Sequence, residues 1–307
     1  MLETGSTTLS NEQSLDPEAF ATAYTVYGPV HGFPLVFLHS GALTRRMWQP
    51  QIDELSKAFR IIALDLPGHG TLKQYAFTLK MAVEEVAQII RKEVQGQALV
   101  IGLSLGGFVA LTLASEHPEL VAGLVLSGCN IDVQGMSETL LKVRGTLLAN
   151  NVALLDRMFA TLTERVFRRF YSDQFVAQQA QAGIYWKGAG QGLLECTGKD
   201  FRAMLHTYRG PVLLLNGEND KNSRKSEEAF LSVANEDNIR VQPISGAGHL
   251  CNVDQPRAYN NALRNFTQAD LYHSYSYGYQ GKEEGERQVF YVEFEEPRVE
   301  RPGDMME

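Results

Sequence analysis

Residues 98–107, Ala-Leu-Val-Ile-Gly-Leu-Ser-Leu-Gly-Gly, constrain the fold of this chain more than any other stretch. An apolar, strand-forming run (98–101) enters Gly102-Leu103-Ser104-Leu105-Gly106, and a helix-compatible segment follows from Gly107 to Glu116. A strand that becomes a helix within so few residues must turn sharply. Side chains at 102 and 106 would collide with backbone on either side of that turn, and glycine has no Cβ to collide. The pattern predicts a buried strand, a tight turn with Ser104 at its tip, and a helix packed back on the sheet, the repeating unit of a parallel α/β architecture.

The same rhythm recurs along the chain. Short apolar runs at 35–38, 60–66, 120–126, 212–215 and 239–244 read as further strands, with an outer strand at 21–27. Stretches 47–58 and 79–94 carry apolar residues at helical spacing. Strands alternating with helices imply an α/β fold with a mostly parallel central sheet flanked by helices. The alternation lapses between 130 and 208, where segments 137–148, 152–171 and 173–186 are helix-compatible and no strand stands out. That region is expected to be an inserted helical lid over the carboxyl ends of the strands, where open α/β sheets place their ligand crevice. The expected organisation is an N-terminal arm (1–20), a core (21–129 and 209–268), the lid (130–208) and an acidic, Tyr-rich C-terminal tail (269–307). Within 273–307, nine Asp/Glu face four Lys/Arg. Segment 288–294 could be a strand that docks on a sheet edge or a partner, or the tail could be an unattached extension.

Composition narrows the function classes. A chain of 307 residues, 44% hydrophobic, can bury a large core. A net charge of −8 argues against general nucleic-acid binding. No run of apolar residues is long enough to span a membrane. The polar N-terminus lacks the pattern of a secretory signal, and a cytoplasmic location is expected. Cys129, Cys196 and Cys251 are odd in number and widely spaced, with neither metal-ligand nor disulfide spacing, and read as buried apolar residues. There is no phosphate loop, metal cluster or dinucleotide fingerprint, so neither a cofactor nor a metal is expected.

Downstream of Ser104, residues 211–220 form a buried-strand pattern that runs through Asn216-Gly217-Glu218-Asn219 to Asp220. Residues 244–249 form a second strand end, Ile-Ser-Gly-Ala-Gly, closed by His249. The order Ser104, Asp220, His249, each just beyond a strand, is the chain order of one type of serine triad. The chemistry requires these types. A serine hydroxyl is a weak nucleophile until an imidazole takes its proton, and the imidazole needs a carboxylate to set its tautomer and stabilise its cation. Asp220 also reads as a helix cap, and Glu218 and Asp132 are alternative acids.

Four stretches extend this constellation: Leu38-His39-Ser40-Gly41 with Trp48, Asp65 to Gly70, Gly102 to Gly106, and Gly246 to His249. Over about residues 20–268 the chain resembles the α/β-hydrolase-fold serine hydrolases of the lid-bearing, esterase-like type. The resemblance implies an oxyanion hole made by the backbone N–H groups of Gly41 and Leu105, with His39 bracing the first of these loops. Ser40 stands where the family usually has Gly and could add a hydroxyl donor. The Asp65–Gly70 stretch resembles a structural turn, so Asp65 and His69 are given no chemical part.

A serine at position 104 implies acyl transfer to and from its hydroxyl, and the resemblance implies hydrolysis of a carboxylic ester of a small-molecule acyl substrate. Carbon–carbon, thioester or lactone hydrolysis and cyanohydrin cleavage use similar residues, and a non-catalytic receptor or scaffold of the same fold is an alternative of a different class. Ser40, Met158, Phe159 and Trp186 are substrate-binding candidates, with Tyr185 a further candidate for the pocket wall. The aromatic residues among them could equally pack the lid onto the core.

Overall fold

A computed structural model describes residues 16–129, 138–150, 153–234 and 238–271 of the chain. Seven strands form one sheet: β1 (Tyr24–Tyr27), β2 (Pro34–Leu38), β3 (Arg60–Leu64), β4 (Ala98–Leu103), β5 (Val121–Ser127), β6 (Val212–Leu214) and β7 (Ile239–Val241). Their spatial order is β1-β3-β2-β4-β5-β6-β7, with β1 antiparallel to β3 and every other neighbouring pair parallel. The expected mostly parallel sheet flanked by helices is the observed one.

Period-two alternation sorts the strand residues into two cores. Val36, Leu38, Ile62, Leu64 and Val100 face one way, while Leu35, Phe37, Ile61, Ala63, Leu99 and Ile101 face the other. Helices α1 (Pro17–Thr22), α2 (Gln49–Leu55), α3 (Leu79–Glu93) and α4 (Leu105–Glu116) precede β5. The first core is sealed by α3 and α4, and the second by Ile52 and Leu55 of α2 and by Tyr259, Ala262, Leu263 and Phe266. β4 is buried along its whole length, which is why its run lacks polar alternation. Each fully buried Val, Leu or Ile in these layers contributes about 1.5–3 kcal/mol of apolar burial.

Between β5 and β6 lie α5 (Glu138–Ala149), α6 (Ala153–Phe170), α7 (Asp173–Ala182), α8 (Trp186–Cys196) and α9 (Phe201–Thr207). Then come α10 (Lys221–Leu231), β7, α11 (Cys251–Asp254) and α12 (Pro256–Phe266). Local chemistry moves several expected boundaries. Asp16 caps Ala19 with Pro17 in the first turn, so residues 21 and 22 close α1 and the outer strand begins only at Tyr24. β7 stops at Val241, two residues before Pro243, which has no N–H for the ladder; an isolated bridge then joins Ile244 to Gly217. The helix expected over 173–186 ends at Ala182, and α8 starts afresh at Trp186.

All three cysteines are free and buried, and burial pushes the Cys196 and Cys251 thiols up to about 12. Among the described residues no helix is long and apolar enough to cross a membrane. The first part of the N-terminal arm, Asp132 and the tail segment 288–294 lie outside the described residues.

Candidate active site

Ser104 follows β4 directly, at φ 54°, ψ −112°, a conformation rarely adopted by a residue with a side chain. Such an outlier costs about 1–3 kcal/mol and persists only where its surroundings impose it. They do so on both sides. The Ser104 N–H donates to the Ser127 carbonyl (2.7 Å), and a Cβ on Gly102 or Gly106 would stand 2.3 or 2.2 Å from the nearest backbone oxygen. Ser104 occupies the N-cap position of α4, yet its hydroxyl makes no capping bond. The side chain is left for other partners.

Two strand-end loops bring the acid and the imidazole together. The N–H groups of Glu218 and Asn219 donate to the carbonyls of Ile244 and Ala247, and the Ile244 N–H donates to Asn216. This pairing sets Asp220 beside His249, whose Nδ1 bonds Asp220 Oδ2 at 2.7 Å. The same carboxylate caps α10 at Ser223 N (3.3 Å) and accepts from Ser223 Oγ (2.7 Å). Burial pushes the Asp220 carboxyl up, but the bonds from His249 and Ser223 outweigh it and hold the pKa at about 2. The ionised acid accepts the Nδ1 proton, which leaves Nε2 as the acceptor. The Asp220 side chain is 9% exposed and that of His249 47%, so the acid is shielded while the imidazole is accessible.

The imidazole rests against Gly128, at φ 62°, where a Cβ would stand 2.8 Å from Cε1. Gly128 follows Ser127, the residue that anchors Ser104, so one turn after β5 carries both groups. Asn216 fixes this turn: its Oδ1 accepts from Gly128 N (2.8 Å) and its Nδ2 donates to Glu227 Oε1 (2.8 Å). On the far side of the His249 loop, Asp254 accepts from Gly248 N (2.7 Å). Glu218 is not the partner of His249; it accepts from Ser245 Oγ and Gly246 N, each at 3.0 Å.

The loop after β2 approaches the same place. A Cβ on Gly41 would lie 3.4 Å from the Ala189 Cβ and 3.8 Å from the Leu105 Cβ. The N–H groups on either side of Gly41 are engaged, Ser40 with Met47 Sδ (3.2 Å) and Ala42 with His69 Nε2 (3.2 Å). Among the described residues nothing accepts the Gly41 N–H. Leu105 opens α4, so its N–H has no acceptor within the helix. His39 braces this loop as expected: its Nδ1 bonds Ser40 O (2.8 Å) and its Nε2 accepts from Leu66 N (2.9 Å). Asp65 ties Arg45 N and Thr71 N together. Ser40 itself is buried at 6% exposure.

Phe159 and Trp186 share a groove of about 510 Å³ with Leu140, Val143, Leu147 and Leu162, and Arg144 is its one cation among the lining residues. Trp186 is fixed by its Nε1 bond to Thr163 Oγ1 (2.9 Å). Met158, beside Phe159 on α6, is exposed and outside the groove lining. Tyr185 lies at the start of α8 and bonds the Ala42 carbonyl through its N–H. Sequence reasoning gave His69 no chemical part and did not single out Gly128, Asn216 or Asp254. Gly128 and Asn216 show only as a Gly and an Asn just past a strand, His69 sits in a Gly-bearing turn and Asp254 closes the short helix α11, and such residues are common in turns and at helix ends. Among the described residues no group of three His, Cys, Asp or Glu side chains is placed to hold a metal ion.

A profile of the alpha/beta hydrolase family matches residues 35–262, about three quarters of the chain. The chain belongs to that family. The pimeloyl-[acyl-carrier protein] methyl ester esterase of Nitrosomonas europaea is 31% identical over 213 residues, which cover 62% of this chain and 78% of that protein. The enzyme of the same name from Yersinia enterocolitica is 38% identical over 91 residues, 30% of this chain and 34% of that protein. A thermophilic esterase from Thermogutta terrifontis superposes with a TM-score of 0.66 at 22% identity, covering 80% of this chain and 92% of that one. At that identity the last comparison bears on the fold alone.

Proposed function

We propose that this hydrolase cleaves a carboxylic ester of a small molecule through an acyl-enzyme on Ser104. The observation that carries the reading is the 2.7 Å Asp220–His249 bond, with the imidazole seated on the Gly128 turn that also anchors the strained Ser104. In the first step Ser104 Oγ attacks the ester carbonyl carbon while His249 Nε2 takes the hydroxyl proton. The negative charge on the former carbonyl oxygen is met by the N–H groups of Gly41 and Leu105. The tetrahedral adduct collapses, the C–O bond to the alcohol breaks, and the alcohol leaves with the proton from His249. Water then attacks the acyl-enzyme by the same route and restores Ser104.

Helices α5–α9 act as a lid in this reading, and the apolar groove of Phe159 and Trp186 receives the aliphatic part of the substrate. The Nitrosomonas relative, named for a methyl ester of an acyl chain, supports an ester with a small alcohol and an extended acyl group. No cofactor enters the scheme.

The test compares wild type and Ser104→Ala on p-nitrophenyl acetate and octanoate, with a fluorophosphonate label run in parallel. We expect turnover and labelling in the wild type, loss of both in the variant, and a lower KM for octanoate. Labelling without ester turnover would move the scissile bond to another acyl class. A wild type inert to label and ester refutes the reading.

A further inference from the structure

Ala42 is the second residue with a side chain at positive φ in the described structure, at 65°, and it is 3% exposed. Both of its peptide groups are held. Its N–H donates to His69 Nε2 (3.2 Å), and its carbonyl accepts from Tyr185 N (2.8 Å) at the entrance to α8. The Ala42–Tyr185 pair is an isolated antiparallel bridge, the one backbone ladder contact between the β2 loop and helices α5–α9 among the described residues. His69 is itself fixed, with Nδ1 bonded to Pro67 O (2.9 Å) and its ring edge-on to His39 at 5.0 Å and to Tyr185 at 6.2 Å. It is fully buried, and burial together with the neighbouring His39 lowers its pKa to about 3, so Nε2 remains an acceptor at neutral pH.

The N–H of Gly41 lies one residue before this clamp. Rotation about the Ala42 backbone re-aims the preceding peptides, and Ala42 would relax toward negative φ if either bond were lost. Ala189, one turn along α8 from Tyr185, lines the space beside Gly41, where an added Cβ would stand 3.4 Å from its own Cβ.

We propose that His69 and the Tyr185 backbone are positioning groups for the Gly41 oxyanion donor, and that they make its alignment depend on the docking of α8. The inference rests on the acyl-transfer reading above and adds a coupling: the lid does not merely enclose substrate but completes the oxyanion hole through Ala42. His69, which the sequence offered only as part of a structural turn, acts through Ala42 without touching substrate.

The experiment measures kcat and KM for p-nitrophenyl butyrate and the Ki of phenylboronic acid, which forms a tetrahedral adduct on an activated serine, in wild type, His69→Leu, His69→Gln and Ala42→Gly. His69→Leu removes the acceptor and is expected to lower kcat about 10–100-fold, with KM changed less than threefold and boronate affinity weakened by a similar factor. His69→Gln offers an amide oxygen to Ala42 N and is expected to recover part of the loss. Ala42→Gly relieves the strained φ but, lacking a Cβ, opens a wider range of backbone states to the loop that carries the Gly41 N–H, so its melting temperature is expected to hold or rise while kcat falls. That outcome separates positioning from simple structural support, and it keeps the test decisive if His69→Leu fails to fold. Wild-type kcat and boronate affinity in folded Ala42→Gly or His69→Leu overturn the coupling. An inert wild type overturns the acyl-transfer reading instead.

Discussion

Replacing Gly128 with Ala tests whether the position of the imidazole is set by packing against backbone. The new Cβ would stand 2.8 Å from Cε1 and 3.2 Å from Nδ1 of His249. Carbon–carbon contacts are comfortable at about 3.5–4.0 Å, so the ring must retreat by roughly 0.7–1.2 Å. It cannot do so and keep both its 2.7 Å bond to Asp220 and the approach to Ser104 that the proposed proton transfer requires. A misplacement of about 1 Å in a reacting group lowers rates about 100-fold, which corresponds to about 2.7 kcal/mol of barrier. The φ of 62° adds about 1–3 kcal/mol of backbone strain. The expected result is a fall of about 100-fold in kcat/KM for p-nitrophenyl butyrate, a matching fall in fluorophosphonate labelling rate, and a melting temperature lower by a few degrees. Gly128→Ala protein within threefold of wild-type kcat/KM would refute the reasoning, because the ring would then tolerate displacement from the Gly128 surface.

Further perturbations probe the two unusual carboxyl groups. Asp220→Asn keeps the shape but offers His249 an amide that cannot stabilise the imidazolium, and kcat should fall about 10³–10⁴-fold in steady-state assays. Because the folded-state pKa of Asp220 lies near 2, below the ordinary value of about 3.9, its contribution to stability is present above about pH 4 and is lost as pH falls through 2. Acid titration of unfolding should therefore show a wild-type advantage over Asp220→Asn that shrinks across that window. Glu85 on α3 is the opposite case: 3% exposed, with both carboxyl oxygens lacking a hydrogen-bond partner among the described residues, and held by burial well above the ordinary carboxylate range. Its folded-state pKa exceeds its unfolded one, so its cost to stability grows as pH rises from about 4.3. Glu85→Leu should stabilise the fold by about 1–3 kcal/mol at pH 8 and less at pH 5, read from urea midpoints; a variant less stable at both would sink this account.

Much of the candidate site could be read directly from sequence because its signals are local. The turn at Ser104 needs Gly102 and Gly106, the strand before it needs an unbroken apolar run, and Asp220 and His249 each follow a β-forming run and a Gly-bearing loop. Periodicity likewise separated strands from helices and marked the stretch between β5 and β6 as helical. These are properties of windows of a few residues, where steric limits on the backbone and the two repeat lengths act.

Tertiary structure alone decided which strand ends meet and what braces them. Gly128 and His249 are adjacent only because β5, β6 and β7 lie side by side, and Asn216 reaches Gly128 across 88 residues of chain. His69 holds Ala42 across 27 residues, and Tyr185 holds it from the start of α8. Glu84 and Glu85 are identical in sequence terms, yet Glu84 is partly exposed and Glu85 buried, a difference set by what α3 packs against. Backbone preference acts over a few residues and leaves its trace in local pattern. The alignment of a donor or an imidazole depends on contacts between distant segments, and those exist only once the sheet has assembled.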